Sequence, residues 1–287
     1  MAARADALGL PVLTPDRLRP SEVLSALAAL HPELLVVADY GRLIPPPLLE
    51  LARHGALNLH PSLLPRWRGA SPIAAAIAAG DAVTGVSLMR LDAGLDTGPL
   101  LAQTEVVLDG SETAEGLEAD LARLAAALLV ASLGPFFRGE LIAQPQDEAR
   151  ATICRPLRRE DGRLDPGRPA VELERRVRAY QPWPGTYLDL TGGRLIVHRA
   201  KAWPPVPAAA AAGGRIPFAP DAAPGTIVAE GDGLALITEE GVLALLDVQA
   251  PGGRRMAGAE LRRGRPGLVG QVARGLDAAP DGRMGSP

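Results

Sequence analysis

A chain of 287 residues, 47% hydrophobic and 22% charged, has room for two domains and a globular rather than a disordered or fibrous composition. No apolar run reaches the length of a membrane span, Met1 to Asp6 lacks the apolar core of a secretion signal, and the single Cys154 argues against a disulfide or a structural zinc site. His31, His54, His60 and His198 have no metal-ligand spacing, so the expectation is a cytoplasmic monomer that needs neither metal nor membrane.

Leu8 to Leu13 reads as a short strand. Pro20-Ser21-Glu22 opens a helix with Ser21 as its cap and Val23, Leu24, Leu27 and Leu30 as its apolar stripe, and His31-Pro32 ends it. Leu34 to Ala38 is a continuous apolar run, the pattern of a strand buried on both faces of a parallel sheet. Helices are expected over 46–53, 73–79 and 113–133, the last opened by Ser111 or Thr113 and buried along its apolar stretch Leu121 to Leu133. Strands are expected over 57–60, 85–91 and 100–107. The alternation makes residues 1–138 an α/β domain with a mostly parallel sheet.

Residues 139–169 read as a polar, proline-bearing linker. A helix over 170–179 leads to Pro182-Trp183-Pro184-Gly185, where Trp183 is expected to pack or wedge at a junction. Short strands at 187–190, 194–200, 225–230, 233–238 and 241–249, separated by glycine turns, suggest a small β barrel over 170–275. Pro204 to Pro224 is a low-complexity loop and 276–287 a disordered tail. Charge is uneven: residues 1–150 carry 11 Lys/Arg against 18 Asp/Glu, a balance of −7, and residues 151–287 carry 19 against 15, a balance of +4. A basic half beside an acidic one suits a domain that holds nucleic acid beside a small-molecule site.

The chemistry concentrates in two stretches. Asn58 and His60 leave the same face of an extended backbone just before Pro61, Pro65 and Gly69 forbid a long regular element. An amide and an imidazole side by side form a pair of donors for a developing oxyanion, though Asn-x-His is also a common strand-end hydrogen-bonding pair. Asp92-Ala93-Gly94-Leu95-Asp96-Thr97-Gly98 supplies two carboxylates able to polarise a histidine, and reads equally as a turn or a weak cation loop. Trp67, between Arg66 and Arg68, is expected to shape the acceptor cleft.

Taken together, N-x-H-x-S-L-L-P-R-W-R-G-A-x-P-I (Asn58 to Ile73), G-D-x-x-T-G-V (Gly80 to Val86) and G-L-D-T-G (Gly94 to Gly98) resemble the folate-dependent formyltransferase family. Asp39 to Pro45 is similar to the family's A-Y-G-x-I-L-P segment, with aspartate where alanine is usual. The resemblance implies an N-terminally truncated Rossmann-like formyltransferase domain followed by a small all-β, OB-like barrel that holds tRNA. It implies Asn58, His60 and Asp96 as the catalytic trio, with Ser62, Leu63, Leu64, Pro65, Tyr40, Arg42 and Ile44 along the folate site. It further implies 10-formyltetrahydrofolate as donor, initiator methionyl-tRNA as acceptor, and no metal. An amino-sugar acceptor, or an impaired chain that only binds RNA, are the alternatives.

Against the family pattern, a first strand with a G-T-P-x-F-A-like turn, a helix, a second strand and a basic loop are missing, and Leu8 to Leu13 matches the third strand. The domain is therefore expected to be incomplete, with exposed strand edges and impaired activity.

Overall fold

The structure is a computed structural model that describes residues 2–18, 20–41, 44–203 and 222–275. In chain order its first half holds α1 (Ala2–Ala7), α2 (Ser21–Ala28), β1 (Leu35–Ala38), α3 (Pro46–Leu49), β2 (Ala56–His60), β3 (Arg68–Gly69), α4 (Pro72–Ala79), β4 (Val83–Arg90), β5 (Leu100–Val107) and α5 (Ala114–Phe137). The second half holds β6 (Ile153–Cys154), α6 (Ala170–Ala179), β7 (Thr186–Leu190), β8 (Gly193–Trp203), β9 (Ile227–Glu230), β10 (Gly233–Ile237), β11 (Val242–Gln249), β12 (Arg255–Ala257) and α7 (Gly258–Gly264).

The strand expected at Leu8 to Leu13 is replaced by α1 and an irregular segment. Alanine-rich sequence favours the helix, and Gly9 at φ 69° closes it while the Leu10 and Gly9 N–H groups donate to the Ala5 and Asp6 carbonyls. Leu8, Leu10 and Leu13 are more than half exposed. Among the described residues β1 pairs only with β2, so no ladder forms on its outer edge to hold a strand there. Helix α2 departs from expectation at both ends: Pro20 and not Ser21 stands at the cap with no side chain capping it, and the helix stops at Ala28, which leaves Leu30 outside it and exposed. Helix α3 is four residues long, half of what its sequence suggested.

The first sheet has the order β1-β2-β4-β5. Strands β1 and β2 run parallel with Ala38 opposite Leu59, but β2 and β4 run antiparallel, with Asn58 opposite Met89 and His60 opposite Ser87. A mixed sheet thus replaces the mostly parallel one expected, because the return through α4 enters β4 from the other end. Strand β1 is half-exposed rather than buried on both faces, with Val36 facing outward. Asp39 follows it at φ 51°, in the left-handed region where Asp is better tolerated than Ala. Gly80 caps α4 at φ 72°, with Asp81 N–H donating to the Ala76 carbonyl.

Helix α5 starts as anticipated, the Thr113 hydroxyl accepting from Gly116 N–H. It buries only Leu117, Leu121, Ser132 and Phe136 and leaves Val130 exposed, so the expectation of a buried helix fails for most of its surface. At 24 residues it is also long and apolar enough to cross a membrane by length and composition alone, which corrects the reading that no segment is. Core helices of soluble proteins pass the same test.

The described chain forms two compact units, residues 1–68, 85–104 and 124–152, and residues 69–84, 105–123 and 153–287. The stretch read as a linker is divided between them after Thr152. In the second unit the strands follow the order β7-β8-β11-β10-β9 with β12 on β11, and these ladders are antiparallel. The all-β expectation holds with strand ends moved by one to three residues and one strand, β12, added. Helix α6 buries Ala170, Leu173 and Val177, one face of a 3.6-residue repeat, and Ala179 at its last turn, and it packs on β8. Leu188, Val197, Ile227, Leu234, Leu236, Leu243 and Val248 complete that core. Leu243 is fully enclosed. Leu243→Ala is expected to lower stability by about 2–5 kcal/mol, read as an earlier midpoint in chemical denaturation. The Pro204–Pro224 loop lies outside the described residues except for its last three, and the tail 276–287 lies outside them entirely. Trp183 is not wedged: it is more than half exposed, with the Arg159 guanidinium 5.7 Å from its ring centre.

Candidate functional site

Strand β2 ends at His60, and the chain then folds back sharply. Ser62 N–H donates to the His60 carbonyl, the Ser62 hydroxyl donates to Arg66 O at 2.6 Å, and the Leu64–Pro65 bond is cis. A polar spine secures this turn to the sheet. The Ser87 hydroxyl, fully buried on β4, donates to Ser62 O at 2.7 Å and accepts from Leu64 N–H at 3.0 Å, while Gln103 on β5 donates to Leu64 O and to Ser87 Oγ. The buried Ser87 hydroxyl both donates and accepts, which fixes the turn against β4. Neither Ser87 nor Gln103 was given a role from the sequence.

The turn delivers His60 with 4% of its surface exposed. Its Nε2 lies 2.9 Å from the Trp67 carbonyl oxygen. A carbonyl only accepts, so Nε2 carries a proton and Nδ1 is the nitrogen that faces chemistry. Nδ1 stands 3.7 Å from Asp96 Oδ2, and Asn58 Nδ2 stands 3.5 Å from Asp96 Oδ1. The three side chains named from sequence therefore converge around one carboxylate. Of the two carboxylates in the 92–98 loop only Asp96 is aimed there. Asp92 closes its own loop, accepting from Gly94 N–H and from the Thr97 hydroxyl.

Trp67 contributes through its backbone. Its carbonyl orients His60, its N–H donates to Thr152 Oγ1 at 2.8 Å, and its ring lies under the Arg66 guanidinium. Trp67 and Asp96 both have positive φ, 61° and 53°. Each such non-glycine residue costs about 1–3 kcal/mol and persists only where its surroundings hold it, a pattern concentrated at functional sites.

Three further residues, Arg68, Gln146 and Glu148, were given no site role from the sequence. The Arg68 guanidinium, 5% exposed, donates from Nη1 and Nη2 to both Glu148 oxygens at 2.9 and 2.7 Å, and from Nε to Gln146 Oε1 at 3.0 Å. These bonds hold the Glu148 carboxyl below the usual carboxylate range and raise Arg68 further. Gln146 Nε2 then donates to the carbonyls of Asp96 and Gly98 at 2.8 and 2.7 Å.

The remaining sequence-named residues divide into two sets. Ser62 and Leu64 are enclosed and act on the turn, whereas Leu63 and Pro65 keep partly accessible side chains. Because Ala38 lies opposite Leu59, Tyr40 and Ile44 follow β1 at the same end of the sheet as His60, and Tyr40 is exposed. Arg42 lies outside the described residues. Among the described residues no group of three or more His, Cys, Asp or Glu is placed to hold a metal ion.

Two family models match the chain, Formyl transferase over residues 2–133 and Formyl transferase, C-terminal domain, over residues 156–266. The chain belongs to the formyltransferase family. Among curated relatives, the methionyl-tRNA formyltransferase of Myxococcus xanthus is 44% identical to this formyltransferase over 257 residues, 89% of this chain and 78% of that one. That of Marinobacter nauticus is 39% identical over 247 residues, 86% and 75% of the two chains. Among solved structures, HypX from Aquifex aeolicus in complex with tetrahydrofolic acid shares the fold at TM-score 0.58 and 18% identity, over 83% of this formyltransferase and 40% of that chain.

Proposed function

We propose that this chain transfers the formyl group of 10-formyltetrahydrofolate to the α-amino group of methionyl-initiator tRNA, in the cytoplasm, with residues 1–138 carrying the chemistry and 170–275 holding the acceptor. The observation that carries the reading is the meeting of Asn58, His60 and Asp96 within 3.5 to 3.7 Å, in a chain 39–44% identical to relatives named methionyl-tRNA formyltransferase. Attack of the amine on the formyl carbon gathers negative charge on the formyl oxygen. Asn58 Nδ2 is one donor for that charge, and the imidazolium of His60, with a proton on Nδ1 as well as on Nε2, is the other; burial of His60 strengthens the interaction. Asp96 orients both donors and, across one solvent molecule, takes the proton the amine gives up. The new C–N bond forms at the amine, the old one to folate breaks, and the folate nitrogen regains a proton. Leu63 and Pro65, with Tyr40 and Ile44, offer apolar surface to the flat donor rings, and none of these steps calls for a metal.

The test is a transfer assay with radiolabelled 10-formyltetrahydrofolate and either charged initiator tRNA or a nucleotide-linked amino sugar as acceptor. Label on the methionyl amine is the expected result. Label on the sugar alone moves the chain to another branch of the family, and salt-dependent tRNA binding without any transfer marks an RNA binder instead.

A further inference from the structure

We infer that Gln146 is a positioning residue for formyl transfer, holding Asp96 against His60 and Asn58; the inference rests on the function proposed above. Its amide bridges two loops that are far apart in sequence. On one side Nε2 donates to the carbonyls of Asp96 and Gly98, and on the other Oε1 accepts from Arg68 Nε, eight residues after His60. The orientation of that amide is fixed by its partners. A guanidinium only donates and a carbonyl only accepts, so a flipped amide would set an oxygen against two carbonyls and an NH₂ against a cation.

The 92–98 loop needs this support at its second half. Asp92, by accepting from Gly94 N–H and Thr97 Oγ1, ties the loop to itself and not to the turn that carries His60. Asp96 meanwhile sits at φ 53°, a left-handed conformation that costs an L residue some free energy. Gln146 grips the carbonyl of Asp96 itself and that of Gly98 two residues on, so the restraint falls on the residue whose side chain faces the histidine. Arg68 is fixed in turn by its two bonds to Glu148, and its own N–H donates to Thr152 O. The brace is continuous from the loop after His60 to the loop that carries Asp96, and no member of it touches the reacting atoms.

Gln146→Glu keeps the size and the Arg68 contact but replaces two donors with an oxygen facing two carbonyls; Gln146→Ala removes the brace with less repulsion. For both variants, kcat for formyl transfer is expected to fall on the order of 10–100-fold. KM for 10-formyltetrahydrofolate should change little, the pH profile of kcat should alter, and amide hydrogen exchange across residues 92–98 should quicken. Thermal unfolding of each variant confirms that it folds. Unchanged exchange, or faster exchange with kcat and its pH profile as in the parent, overturns the inference. If the parent chain transfers no formyl group to tRNA, the functional reading falls, and with it the catalytic half of the inference; exchange over 92–98 then decides whether the brace itself exists.

Discussion

Alanine at His60 is expected to lower the turnover of formyl transfer by about 10²–10³-fold, the usual cost of deleting one donor to a developing oxyanion, and to leave the affinity for 10-formyltetrahydrofolate nearly unchanged. The two effects separate because His60 sits at the end of β2 with only 4% of its surface exposed, too enclosed to offer binding area. What it offers is Nδ1, since Nε2 is committed to the Trp67 carbonyl. Asn58→Ala is expected to fall in the same range for the same reason. Steady-state kcat and KM for each variant, beside equilibrium binding of the donor, check the result. A drop confined to KM would mean the pair binds substrate without stabilising the reaction, and an unchanged kcat would remove both from the mechanism. Loss of the His60–Trp67 hydrogen bond also costs about 1 kcal/mol of stability, so activity is best compared at a temperature where both proteins are folded.

Gly98→Ala is the substitution expected to damage stability and activity together. A β-carbon at Gly98 would overlap the Arg90 carbonyl oxygen and stand 3.2 Å from Met89 Cε. Met89 is a flexible side chain, but Arg90 O belongs to the last residue of β4, whose ladder to β2 fixes it. The backbone at 98 has to retreat, and it carries the carbonyl gripped by Gln146. Overpacking against backbone costs about 1–3 kcal/mol, and displacing the neighbouring Asp96 by an ångström costs on the order of 10²-fold in rate. A melting curve and a turnover measurement on one preparation report both. Wild-type turnover in this variant would show that the loop tolerates movement and that Asp96 is not held tightly by its neighbours.

Much of the local architecture follows from residues within a few positions of one another. The apolar period of 170–179 gives α6, the Gly80 stop ends α4, and glycine-bounded strands give the antiparallel second unit. Asn58, His60 and Asp96 were marked by the formyltransferase motifs they lie in, since an Asn-x-His pair at a strand end and a carboxylate in a glycine-flanked loop each have common structural readings of their own. The errors have local causes too. Leu8 to Leu13 has a strand's composition, but a strand forms only where another offers its edge, and Gly9 serves α1 instead. Direction within the sheet was also illegible, since the apolar pattern of β4 is the same whichever way it runs beside β2.

The sequence by itself, through its formyltransferase motifs, named the side chains proposed for formyl transfer and the segments that present them. Only the tertiary structure decided that Asp96 rather than Asp92 faces the histidine, that Nδ1 rather than Nε2 points toward it, and that Gln146 and Arg68 hold the two loops in place. The reason is separation along the chain: Asp96 lies 38 residues from Asn58 and Gln146 lies 50 from Asp96. Residue type sets what a group is able to donate or accept, but the path of the backbone sets which partner comes within 3 Å, and no local pattern encodes that path.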